Sequence, residues 1–265
     1  MSRLAEHPAY RVAGLTKGPA LEEVRALLGA WTPGETAREL LARVQANGVL
    51  GKATAETTRG IMANIFQPRF MVPNDRPARH LKLFLELDGQ PSIFRELILL
   101  HHARSERVFY EFVVDKYWTA AHQGELWMRV ADALAFLDEL VQQRKIPKPL
   151  SPSTRQRTAN GILQSLVAYG LLSGQRTERR EFAAFRTSDN AVAYLAHDLH
   201  FAGQPDSEVI AHPDWNLFGL DANHVQDRLD ALGPAAGLLL QRAGSVVRIS
   251  WAHPSMEAML HALVG

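Results

Sequence analysis

The sequence predicts a mostly α-helical fold: helix-turn-helix or winged-helix-like units around a helical bundle, with short β-hairpin wings. Three observations carry this. Apolar residues recur at spacings of three and four over most of the 265 residues. Ser, Thr or Pro stands before several of these stripes, and Gly or Asn-Gly follows several of them. β-prone runs are confined to two stretches, 173–188 and 237–251.

Taken in order, residues 1–18 read as a loose, polar, glycine-containing lead-in. Helical patterning starts near Pro19, with Leu21, Val24, Leu27 and Leu28 on one face. A second helix starts near Thr36, carries Leu40, Leu41 and Val44, and ends at Asn47-Gly48. Thr54 caps a third by accepting from an early backbone N–H. Its Ile61, Ile65 and Phe66 face inward, while Thr57, Thr58, Arg59 and Asn64 offer polar groups. Residues 19–75 thus fit a helix-turn-helix-like region, closed by the turn "VPNDRP".

Residues 78–187 read as a central bundle with a winged-helix-like extension. "ARHLKLFLELDG", "QPSIFRELILLHHA" and "SERVFYEFVVDKYWTAA" are helical, and their aromatic stripes belong to a core. "ELWMRVADALAFLDELVQQR" reads as a helix over 125–143 with Leu126, Val130, Leu134, Leu137 and Leu140 inward. "PLSPSTRQRTANGILQSL" then places Ser151 as N-cap and Pro152 at the first helical position. Ile162, Leu163, Leu166 and Val167 form the buried stripe. Ser153, Gln156, Arg157, Asn160 and Gln164 share a separate face, flanked by Arg155. "SGQRTERREFAAFRTS" reads as a ribbon whose loop carries Arg176, Arg179 and Arg180. An internal echo accompanies this: shifted by 97, Thr54 falls on Ser151 and Ile65 on Ile162, whereas a shift of 96 pairs Asn64 with Asn160. Both registers cannot hold.

Residues 188–265 read as a small acidic winged-helix-like module. It has a helix after Ser188 or Asp189, an amphipathic helix with Val225, Leu229 and Leu232, a hairpin at 237–251 and a closing helix.

Net charge is only +1, but it is segregated. From Arg144 to Arg186, nine Arg/Lys face only Glu178 and Glu181, giving +7; from Thr187 on, nine acids face three arginines, giving −6. Such a local field steers an anionic partner to one face. The absence of cysteine excludes disulfides, thiolate nucleophiles and cysteine zinc sites. No apolar run of membrane-spanning length occurs, so a cytoplasmic protein is expected.

Arg and Lys on a helix and an adjacent loop suit phosphates, and Ser, Thr, Asn and Gln add phosphate or base-edge contacts. The candidate nucleic-acid-binding residues are Lys148, Ser151, Ser153, Arg155, Gln156, Arg157, Asn160, Arg176, Arg179 and Arg180, with Thr57, Thr58, Arg59 and Asn64 on the earlier helix. Catalytic signals are weak. His197 and His200 are three apart, but no third metal ligand is fixed among His212 and His224, and His101-His102 is no stronger. Glu111 and Asp115 read as a surface pair. With no phosphate loop, HExxH or serine elbow, no catalytic residue, metal or cofactor is expected, and the protein is read as not an enzyme.

The phrases "QPSIFRELILLHHARSERVFYEFVVDKYWTAAHQG", "LSPSTRQRTANGILQSLVAYGLL" and "VIAHPDWNLFGLDANHV" resemble the BrxA family of bacteriophage-exclusion (BREX) phage-defence systems. The resemblance runs over roughly residues 20–260 and rests on ordered phrases, not on a catalytic motif. It implies an all-helical, NusB-like character, nucleic-acid binding without chemistry, and action beside a methyltransferase and an ATPase. An inner-membrane assignment attached to some members does not suit a chain without an apolar span. The reading is therefore a DNA-binding component that holds double-stranded DNA mainly through phosphates and meets other BREX proteins, with no membrane. The alternatives are a protein–protein adaptor and an RNA-binding protein.

Overall fold

Thr36 closes a capping box: its Oγ1 accepts from the Glu39 amide at 3.3 Å, and Glu39 accepts the Thr36 amide at 2.9 Å. Local signals of this kind start several helices of the computed structural model, which describes residues 10–51, 53–174, 178–243 and 246–264. Among these residues helix dominates, and strands form one three-stranded and one two-stranded antiparallel sheet. No helix among them is long and apolar enough to cross a membrane. They divide into two compact units, one holding residues 10–79 and 101–185, the other 80–100 and 186–264.

The larger unit begins with a 3₁₀ turn, Leu15–Lys17, followed by α1 (Leu21–Ala30), α2 (Ala37–Ala46) and α3 (Ala55–Ile61). The last runs on through a π-helical stretch, Met62–Phe66, into α4 (Gln67–Phe70). The widened turns lie just ahead of Pro68, which has no N–H to give and would crowd the carbonyl four residues back in a regular helix. Beyond α5 (Arg76–Glu86) and α6 (Pro91–Ser105) comes a second such run: α7 (Arg107–Glu111), a π stretch Phe112–Tyr117 and α8 (Trp118–His122). Then follow β1 (Trp127–Arg129), α9 (Val130–Gln142), α10 (Pro152–Ala168), β2 (Leu172–Ser173) and β3 (Arg179–Phe182), with sheet order β1-β3-β2.

Aromatic pairs bind these helices into one core. Phe66 meets Phe70 at 5.5 Å between centroids, Phe70 meets His101 at 6.3 Å, Phe112 meets Phe136 at 5.3 Å and Phe109 meets Tyr169 at 6.0 Å. The aromatic stripes are core, as their spacing predicts.

Three local expectations need correction. The span 125–143 is not one helix: Trp127–Arg129 pairs with β3, and α9 starts at Val130, with Asp132 accepting the Arg129 amide at 2.7 Å. Leu126, expected inward, is 70% exposed. Residues 10–18 are not a loose lead-in. Tyr10 donates to Glu111, Leu15 is fully buried, and a β-carbon on Gly161 of α10 would stand 1.7 Å from the Leu15 carbonyl oxygen. Gly costs a helix interior about 1 kcal/mol relative to Ala; here it is what lets the two backbones touch. Nor is Glu111 a surface group, since it is buried and accepts from Tyr10, Arg107 and Lys145.

The smaller unit is built around α11 (Asp189–Phe201), buried on almost every side from Ala191 to Leu199. Ser188 caps it, accepting from the Ala191 amide at 3.1 Å, and Glu96 accepts the Ser188 amide at 2.9 Å. After it come α12 (Asp206–Ala211), a 3₁₀ turn Pro213–Phe218, α13 (Ala222–Leu232), the hairpin β4 (Leu238–Ala243) and β5 (Val246–Trp251), and α14 (Met256–Val264). The hairpin register runs from Leu238↔Trp251 to Ala243↔Val246.

Candidate nucleic-acid interface

α10 carries most of the candidate residues. Ser151 caps it: the Oγ accepts from the Thr154 amide at 3.2 Å and donates to Thr154 Oγ1 at 2.8 Å. Thr54 caps α3 with the same chemistry, accepting from the Thr57 amide at 3.1 Å and sharing a 3.0 Å hydroxyl bond with Thr57. Ile162, Leu163 and Leu166 face the core with no exposed surface. Ser153, Gln156 and Arg157 are exposed and Asn160 half-buried, so the first turns of α10 present one polar face. Lys148 is exposed in the approach to the helix. Farther along, a β-carbon on Gly18 would stand 3.3 Å from Gln164 Oε1, and Gln164 is half-buried.

Not every candidate joins that face. Arg155 lies on its flank and is ion-paired with Asp138 of α9. Arg176 lies outside the described residues. Arg179 and Arg180 stand in β3, not in the loop before it, and alternation along the strand sends them to opposite sides. Arg179 is exposed, with its guanidinium 4.1 Å from the centre of the Trp127 ring. Arg180 is opposite Met128 in the register; both point inward, and Arg180 is only 1% exposed. It donates to the Arg179 carbonyl at 3.2 Å and is not available to a phosphate.

On α3 and the π stretch that continues it the outcome is also divided. Thr57 and Arg59 are exposed. Thr58 is buried and donates to the Thr54 carbonyl at 3.0 Å; Asn64 is half-buried and donates to the Gly60 carbonyl at 2.9 Å. Both are drawn back to their own helix, a habit of short polar side chains.

A buried network that the candidate residues do not include is joined to the far end of α10. Arg69 donates to Glu106 Oε1 from Nη2 at 2.7 Å and from Nε at 3.1 Å. The same Nη2 lies 3.0 Å from His102 Nε2, so that nitrogen is the acceptor and Nδ1–H faces Tyr169 Oη at 2.8 Å. Phe109 stacks on His102 at 4.0 Å. Burial, reinforced by the Arg69 charge, holds His102 down to about 4. Burial alone would raise Glu106, but Arg69 and His102 overcome it and bring it to about 2. One signal was available: Arg69 sits at core spacing from Ile65 and Phe66, where an apolar residue belongs.

The histidines of "HDLH" do not converge on an ion. His197 is fully buried, with Nδ1 2.9 Å from the Ala193 carbonyl, and His200 stacks on Trp251 at 4.3 Å. Among the described residues no three His, Asp or Glu side chains are grouped as a metal site.

The fold is similar to that of a crystal structure of an uncharacterized protein from Magnetospirillum magneticum, with 16% identity and a TM-score of 0.54 over 74% of this chain and 96% of that one. No curated protein matches the sequence. A sequence model of the BrxA family matches residues 9–196, which takes in α3, α10 and both basic residues of β3. By that match the chain belongs to the BrxA family, and so to the components of BREX phage-defence systems.

Proposed function

We propose that this protein is a cytoplasmic, non-enzymatic component of its defence system that binds double-stranded DNA mainly through phosphates. The observation that carries this is the exposed face of Ser153, Gln156, Arg157 and Asn160 on α10, with Lys148 before it and Arg179 on the adjoining sheet. The order helix, β1, α9, α10, β2, β3, with β3 in the middle of the sheet, supports reading this part of the chain as a winged helix. In such units the second helix of the pair enters the major groove, and backbone contacts fix its register. On this reading Arg157, Lys148 and Arg179 hold phosphates, while Gln156 and Asn160 are near enough to base edges to add modest preference.

The test is a salt series on a duplex of about 20 bp, enough for one such unit and its flanks. Wild-type affinity should fall steeply with salt as counterions are released. Arg157→Glu should weaken binding about tenfold or more while leaving thermal unfolding unchanged, since it is exposed. A folded Arg157→Glu variant that binds like wild type overturns the assignment. Preference for structured RNA would transfer the same surface to RNA. Absent duplex affinity, combined with nuclease-resistant co-purification with other system proteins, would make the protein an adaptor.

A further inference from the structure

We infer that the duplex-binding surface continues from α10 across the Leu15–Lys17 turn to α3, with Lys17 as a phosphate-binding residue between Arg157 and Arg59; this rests on the reading of α10 above. The segment 14–18 lies against both helices. On one side Leu15 meets Gly161 of α10 backbone to backbone, and Gly18 abuts Gln164. On the other, a β-carbon on Gly14 would stand 2.7 Å from the Asn64 carbonyl oxygen. The Lys17 side chain crosses Gly60 of α3, with Cε and Nζ each 3.6 Å from where a β-carbon would be. The helix that carries Arg157 and the helix that carries Arg59 are therefore joined by one short strap.

The three cations match in state. Arg157 stands one turn before Gly161, on the side where the strap crosses, and Arg59 adjoins Gly60. Lys17, Arg59 and Arg157 are all exposed, and among the described residues none has an ion pair. Elsewhere in the same unit Arg43, Lys116, Lys145 and Arg155 are each paired with an acid. Cations left without an acid along one strap attract an extended polyanion, and a duplex backbone is the polyanion the α10 reading supplies. Glu56, one turn before Gly60, is an exposed acid on this path; Glu106, against Gly14, is buried and paired with Arg69.

The experiment uses the full chain and the same salt series, with folding checked by thermal unfolding. Lys17→Glu and Arg59→Glu should each weaken duplex binding about tenfold with Arg157 intact. Lys17→Ala should lower the salt slope by about one, Lys17→Arg should retain it, and Glu56→Gln should tighten binding about twofold. If Arg157→Glu weakens binding but the Lys17 and Arg59 reversals leave affinity and slope unchanged, the α10 reading survives and the extension is overturned. A wild-type chain with no duplex affinity at low salt removes both.

Discussion

The basic stretch 144–186 and the acidic stretch that follows carry nearly opposite formal charges, yet they use them differently. In the acidic stretch many carboxylates serve the fold. Asp206 accepts the Ile249 amide at 3.0 Å and lies 3.4 Å from Trp251 Nε1, Asp221 accepts the His224 amide at the start of α13 at 2.9 Å, and Asp189 pairs with Arg228 at 2.5 Å. In the basic stretch Lys145 and Arg155 are paired with Glu111 and Asp138, and Arg180 is inside. Arg144, Lys148, Arg157, Arg179 and Arg186 remain at the surface. Formal charge counts both kinds alike. The field a partner meets comes mainly from the displayed charges, so a run of nine cations is worth fewer than nine as a binding surface.

Neighbouring arginines give the sharpest way to break this contrast. Arg180→Glu puts a carboxylate at a buried position and should cost on the order of 3–5 kcal/mol in denaturant unfolding, whereas Arg179→Glu should leave stability within about 0.5 kcal/mol. Equal stability of the two variants would erase the distinction between folded and displayed charge.

Acid titration should produce the next largest effect. Burial holds His102 in one unit and His197 in the other near 4; the Arg69 charge adds to this for His102, and nearby His253 and His200 add to it for His197. An unfolded chain protonates each near 6.5. Stability is complete above that value and declines as pH falls toward 4, because the unfolded state takes up protons that the folded state refuses. The slope is about 1.4 kcal/mol per pH unit for each histidine. Glu106, held near 2, extends the loss below its unfolded value of 4.5. Denaturant midpoints that stay flat between pH 6.5 and 5 would count against both buried histidines. Smaller again should be Asp206→Ala, which leaves the Ile249 amide and the Trp251 indole N–H without their acceptor and costs about 1–2 kcal/mol; smallest should be Asp230→Ala, on an exposed carboxylate, at under about 0.5 kcal/mol.

The helices, their caps at Thr36, Thr54, Ser151 and Ser188, and both β runs were legible because each is written in neighbouring residues. The exposed face of α10 was legible for the same reason. What local periodicity does not encode is which strand partner a residue meets. Trp127–Arg129 passes for the first turn of a helix until β3 is beside it, and Arg180 looks like a wing cation until Met128 is opposite it. The strap was equally hidden: nothing in "GLTKG" says that a glycine 146 residues after Leu15 is there to receive it. Likewise, grouping residues 80–100 with 186–264 leaves no trace in composition.

Tyr169, at the end of α10, is tied to His102, and His102 to Arg69. The polar helix is thus fastened at its far end before any ligand arrives. Association of any partner with that face then has little chain entropy left to remove at that element, which is a finished tool and not a segment that is shaped on contact.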